Sequence, residues 1–167
     1  MFELKRLSTS AIPAALAKAE RYRLLNESEE AQSICEDVLA ADPSNFDAVR
    51  TFVLALTDTF ANHDGNNVNR AQELVARLPS EYERAYFGGL VAERRARALL
   101  SRSGPGRALT AGDFVREAMR QFERAEGVKP QDNDDALLRW NACARLFLRY
   151  PELAVIDEER TAPVMLE

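Results

Sequence analysis

Residues 118–130 read AMRQFERAEGVKP, and residues 31–43 read AQSICEDVLAADP. Aligned without gaps, each stretch has an alanine, apolar residues four and seven positions later, and a proline five positions beyond those. Spacings of four and three put the apolar residues on one face of a helix, and a proline disfavours helix at the residue before it. Because the alanine leaves room for a second helix, the recurrence predicts stacked helix pairs.

The second helix of the tetratricopeptide repeat (TPR) has this pattern, which the later stretch matches in full. Tyr22, nine residues before Ala31, stands where that family has a tyrosine on the first helix. Gly89 occupies the small position of a third first helix, while Ala15 and Lys18 depart from the usual Trp and Leu of the first one. The chain resembles the TPR family over about residues 12–147, with three degenerate repeats and a final helix.

Hydrophobic periodicity along the chain predicts seven helices and no series of strand-like alternations. The predicted segments are 10–26, 28–42, 44–62, 68–78, 80–101, 110–127 (or from 113) and 132–150, with Ser28 and Ser80 as caps. We therefore expect an all-α fold, which the resemblance refines to a right-handed superhelical stack of antiparallel helix pairs. Residues 1–150 would form one domain, and residues 151–167 an extended tail.

Composition excludes several classes of protein. The chain has 167 residues, 46% hydrophobic and 29% charged, with a net charge of −5, and has neither a membrane-length apolar run nor a signal-like N-terminus. Cys35 and Cys143 lie in apolar helical patterns, and the single histidine, His63, lies in a polar loop. No common catalytic or phosphate-binding motif is present, and no spacing supports a carboxylate pair such as Glu20 with Asp47. We expect a cytoplasmic protein that is not an enzyme and has no cofactor, metal or membrane partner.

The resemblance implies a concave inner face, formed by the first helices, that binds a protein or peptide segment. Guanidinium groups suit carboxylates and pack on aromatic rings, so an acidic partner is favoured. The alternative is that these arginines are solvated or paired with nearby acids. The predicted partner-binding residues are Arg23, Arg50, Tyr86, Phe87, Leu90, Arg94, Arg139 and Arg145.

Charge is distributed unevenly along the chain. Residues 65–124 carry 11 basic and 7 acidic residues, whereas the segments before and after have net charges of −5 and −4. The basic middle is either a docking patch for an acidic partner, including the acidic tail of another copy, or a solvated face. Nucleic acid is disfavoured because the whole chain is acidic. The bias of 19 arginines to 3 lysines is typical of a GC-rich bacterial genome.

The apolar residues of the tail predict that it packs somewhere. It would cover the last helix, or occupy a groove of its own chain or of a neighbour. The second arrangement suits a regulatory or assembly subunit, including a homo-oligomer, and is the alternative to an adaptor. Trp140 is expected to be a buried anchor of the last helix pair rather than a ligand platform.

Overall fold

The structure is a computed structural model that describes residues 2–62, 65–102, 104 and 106–154. Its seven α-helices are α1 (Ile12–Leu24), α2 (Ser28–Ala41), α3 (Phe46–Asp58), α4 (Asn66–Ala76), α5 (Glu81–Leu100), α6 (Arg107–Gly127) and α7 (Asp135–Arg149). Short 3₁₀ turns precede α1 (Thr9–Ala11) and follow α7 (Pro151–Ala154). Since no strand occurs in these ranges, the expectation of an all-α fold is confirmed.

The helix starts can be compared with the capping residues and start positions predicted from the sequence. Ser80 caps α5 as predicted: its Oγ accepts a hydrogen bond from the Glu83 amide, and the Glu83 carboxylate accepts one from the Ser80 amide. Ser28 instead is the first helical residue of α2 and makes no side-chain cap. The prediction for α6 was also wrong, because Gly106 takes a left-handed φ of 73° and lets the helix begin at Arg107, three residues before Thr110.

Each helix contacts the next one along the chain, and α5 and α6 share the most extensive contact. The odd-numbered helices also contact one another in series, α1 with α3, α3 with α5, and α5 with α7. In the described part of the chain, α2, α4 and α6 have no comparable contact with one another. The odd-numbered helices therefore form one side of the molecule, and α2, α4 and α6 lie outside it, where α2 and α4 meet through the Glu36–Arg70 ion pair.

The positions shared by the repeated stretches are buried. Ala31 and Ala118 have no exposed surface, and neither do Cys35 and Phe122 four positions later. A Cβ on Gly89 would lie 2.7 Å from the ring of Phe122, so that glycine lets α5 approach α6 closely. The small-residue positions inferred from the sequence thus mark the closest packing of the helices.

The start of the C-terminal tail differs from the extended segment predicted for residues 151–167. Leu153, in the 3₁₀ turn, is fully buried against α6 and α7. The Nη2 of Arg116 donates hydrogen bonds of 3.0 Å to the carbonyls of Leu153 and Ala154. The buried leucine folds these four residues back onto the helices, while residues 155–167 lie outside the described residues.

Candidate functional site

Predicted arginines from three odd-numbered helices meet around one carboxylate. Asp58, at the end of α3, accepts a hydrogen bond of 2.9 Å from Nε of Arg23 on α1. The Nη1 of Arg94 on α5 donates to the other oxygen of Asp58 at 3.4 Å. All three side chains are partly exposed. The cluster therefore ties α1, α3 and α5 together on a surface open to solvent.

A second cluster joins α3 and α5 nearer the start of each helix. The Nε of Arg50 donates to Glu83 Oε1 at 2.7 Å, and Arg50 also pairs with Asp47. Burial raises the pKa of Glu83, but hydrogen bonds from Ser80 and Arg50 outweigh it and hold the pKa below its usual value. Glu83 is therefore ionised at neutral pH and fixes the Arg50 side chain.

A third cluster connects α5 and α7 through a buried carboxylate. Glu93 has no exposed surface; its Oε1 accepts a hydrogen bond of 2.8 Å from Nε of Arg97. Its Oε2 lies 3.6 Å from Nη1 of Arg139 and has no hydrogen bond to any described residue. Glu93 was not among the predicted site residues. The sequence feature that could have identified it is its charge at a position three residues after Leu90, on the apolar face of α5.

The predicted aromatic pair divides between surface and core. Tyr86 is half-buried, stacks on Tyr82 with ring centroids 5.8 Å apart, and meets Phe87 edge-on at 5.4 Å. Phe87 and Leu90, both predicted to contact a partner, are buried in the core. Of the three predicted contact residues Tyr86, Phe87 and Leu90 on α5, Tyr86 keeps an accessible surface.

The solvent-exposed face of α7 carries the last predicted site residue. Arg145 is exposed and, among the described residues, has no ion pair or hydrogen bond from its side chain. Leu138 and Leu148 on the same helix are 62% and 82% exposed. Trp140, predicted as a buried anchor, is only half-buried, and its Nε1 donates to Glu123 at 2.9 Å. The indole N–H keeps the ring at the edge of the helix pair, where a carboxylate can accept a hydrogen bond from it.

A groove lies between α4, α5 and α6. Two cavities of about 180 and 140 Å³ share Arg95 and Phe114 as lining residues. The Arg95 guanidinium lies over the Phe114 ring, 3.9 Å from its centroid. Burial lowers the pKa of Arg95. We refer to this feature as the Arg95 groove.

The two cysteines and the single histidine are the remaining candidate residues from the sequence. Cys35 and Cys143 are buried as predicted, and burial raises the pKa of each thiol to about 12. Within the ranges that the structure describes, no three His, Cys, Asp or Glu residues are grouped to hold a metal ion. His63 lies outside the described residues. No described helix has both the length and the apolarity of a membrane span.

Comparison of this chain with protein-family models, with curated proteins and with solved structures finds no match.

Proposed function

We propose that this protein is a non-enzymatic adaptor that binds a protein or peptide segment on the surface of its odd-numbered helices. The repeats would be α1–α2, α3–α4 and α5–α6, with α7 as a final first helix, in a right-handed TPR-like superhelix. The serial contact of α1, α3, α5 and α7 supports this arrangement. In such a stack the first helices line the concave side.

The ion pairs on this surface favour recognition of carboxylates. An arginine has five N–H donors, and the contacts to Asp58 occupy one nitrogen of Arg23 and one of Arg94. The carboxylate fixes each guanidinium in place while other N–H groups stay available to a partner. Pre-ordered donors lower the entropy cost of binding, so this arrangement is the observation that carries the proposal.

Peptide selection with matched charge reversals tests the binding surface. The wild-type chain selects ligands from a phage-displayed random peptide library, and variants are compared for binding to the selected peptides. Arg145→Glu should lose most of the binding, because Arg145 is exposed on the proposed surface with no described partner.

The matched control is Arg21→Glu, an exposed arginine of α1 turned away from the position of Arg23 by its helical spacing. It makes the same change in charge and should bind as the wild type does. Equal loss of binding in both variants would show that the change in net charge alone explains the effect. Unchanged binding by Arg145→Glu would show that the peptides bind at another surface.

The second candidate function is a regulatory or assembly subunit whose groove is filled by a C-terminal tail. At Leu153 the chain folds back onto α6 and α7, which brings the start of the tail to the helices as this candidate requires; contact with α7 is equally what a tail that covers the last helix predicts. Light scattering with size exclusion on the full chain and on a chain ending at Ala154 tests this candidate. A dimer that becomes a monomer supports an assembly subunit, and a monomer in both forms supports the adaptor.

A further inference from the structure

The Arg95 groove lies on a different side of the molecule from the proposed binding surface. Gly88 and Arg95 are seven residues apart and therefore lie on one side of α5, and Arg102, just after the end of the helix, also lines the groove. The ion-paired residues Glu83 and Arg94 occupy another side of the same helix. Because α4 and α6 make no extensive contact, the gap between them leaves this side of α5 accessible.

Arg95 is a half-buried cation without a counter-ion in the part of the chain that the structure describes. Its neighbours Arg94 and Arg97 both pair with carboxylates, whereas Arg95 has no ion pair or hydrogen bond among the described residues. Glu117, the one carboxylate lining the two cavities, accepts hydrogen bonds from Arg120 and Gln121. A partly desolvated guanidinium stacked on Phe114 is stabilised by an added anion.

The size of the cavities indicates what kind of anion fits. At about 180 and 140 Å³, each lies below the roughly 300–1,000 Å³ of small-molecule sites. Val75, Val91 and Ala92 add an apolar lining to the first cavity. Individual side chains of a peptide segment suit these cavities, with an acidic residue at Arg95 and an apolar residue beside it.

Such a segment follows directly after the last described residue. Residues 155–159 read VIDEE, two apolar residues and then three acids. Arg116 holds Ala154 against α6, the helix that also carries Phe114. Going half-way round a helix that is about 10–12 Å wide with its side chains is a path of about 16–19 Å, which five extended residues at roughly 3.3–3.6 Å each just cover. Residues 155–159 therefore have both the chemistry and the reach.

We propose that residues 155–159 of the same chain dock in the Arg95 groove, with a carboxylate from residues 157–159 pairing with Arg95. This docking uses the chain's own acidic segment. It is independent of the adaptor surface on the odd-numbered helices.

Paramagnetic NMR on the full chain tests the docking. A spin label is attached at Thr161→Cys; the native Cys35 and Cys143 are buried and remain unlabelled. In a ¹⁵N-labelled chain, the amide signals of Gly88, Val91 and Phe114 should lose most of their intensity. Arg95→Gln should restore these intensities while the rest of the spectrum shows an unchanged fold.

Arg124→Gln is the matched control, because Arg124 is an exposed arginine of α6 paired with Glu81, and it should keep the signal loss. Full intensity in the wild type, or a loss that survives Arg95→Gln, overturns the proposal. A further sample mixes spin-labelled ¹⁴N chains with unlabelled ¹⁵N chains. Signal loss at the groove in that mixture overturns docking within one chain and assigns the occupant to a second copy.

Discussion

Gly88 and Gly89 are adjacent in α5 but have opposite surroundings. A Cβ on Gly88 would meet Gln121 at 3.8 Å, an ordinary contact with a flexible side chain, whereas on Gly89 it would meet the Phe122 ring at 2.7 Å. Gly88→Ala should therefore raise the free energy of unfolding by about 0.5–1 kcal/mol through helix propensity. Gly89→Ala should lower it by about 1–3 kcal/mol through overpacking.

Urea unfolding followed by circular dichroism measures both variants. The two changes are chemically identical and one residue apart, so each is the control for the other. A shift of the same sign in both would show that α5 and α6 do not pack as described.

Glu93 is the residue whose removal should affect α7 most directly. Glu93→Ala deletes the carboxylate that pairs with Arg97 and approaches Arg139. Breaking a fully buried pair costs about 3–5 kcal/mol, but these arginines are 43% and 35% exposed and can regain water. We expect a loss of about 1–3 kcal/mol in the free energy of unfolding.

Thermal or urea unfolding measures this loss, with Glu36→Ala as the control. Glu36 pairs with Arg70 on the surface, where both side chains are nearly half exposed, and its loss should cost under about 1 kcal/mol. Equal effects of the two substitutions would contradict the structural role assigned to Glu93.

At the scale of elements, the 3₁₀ turn after α7 depends on a glycine of α6. A Cβ on Gly112 would lie 2.3 Å from the backbone oxygen of Leu153, which cannot move without displacing the turn. Gly112→Ala should expose Leu153, lower the free energy of unfolding by about 2–4 kcal/mol, and make residues 150–154 sensitive to proteases. Gly127→Ala, at the open end of α6 with no atom within 4 Å, should do neither.

The contact between α3 and α5 gives a pH dependence. Because the pKa of Glu83 is lowered on folding, its contribution to stability is present above its ordinary value of 4.5 and is lost as pH falls through the folded pKa. Glu83→Gln should therefore destabilise the protein more at pH 7 than at pH 3, by urea unfolding at each pH. A difference that does not change with pH would exclude this linkage.

At the scale of the whole molecule, α5 joins two hydrophobic clusters. Phe87 and Val91 belong to the cluster of α1–α4, whereas Ala92 and Ala96 belong to the cluster of α6 and α7. Val53→Ala, in the first cluster, should lower the free energy of unfolding by about 1–3 kcal/mol. Trp140 fluorescence reports the unfolding of the second cluster. Because α5 couples the two clusters, the unfolding midpoint measured by this fluorescence should fall together with the midpoint measured by circular dichroism. An unchanged Trp140 midpoint would indicate two independent units.

The sequence by itself determined the helices and the positions of closest packing. Periodicity, the Ser80 cap and the small residues Ala31, Ala118 and Gly89 are local signals, readable within one or two turns of helix. The start of α6 was predicted at residue 110 or 113, too late, because the left-handed φ of Gly106 allows the helix to begin at Arg107.

Only the tertiary structure decided how the charged residues are used. Arg23, Arg50 and Arg94 find their carboxylates 33 to 36 residues away, on another helix. Such pairs depend on how helices rotate and stack, which local periodicity does not fix. For the same reason the burial of Glu93, the stacking of Arg95 on Phe114 and the folding back of Leu153 emerged only once the helices were packed.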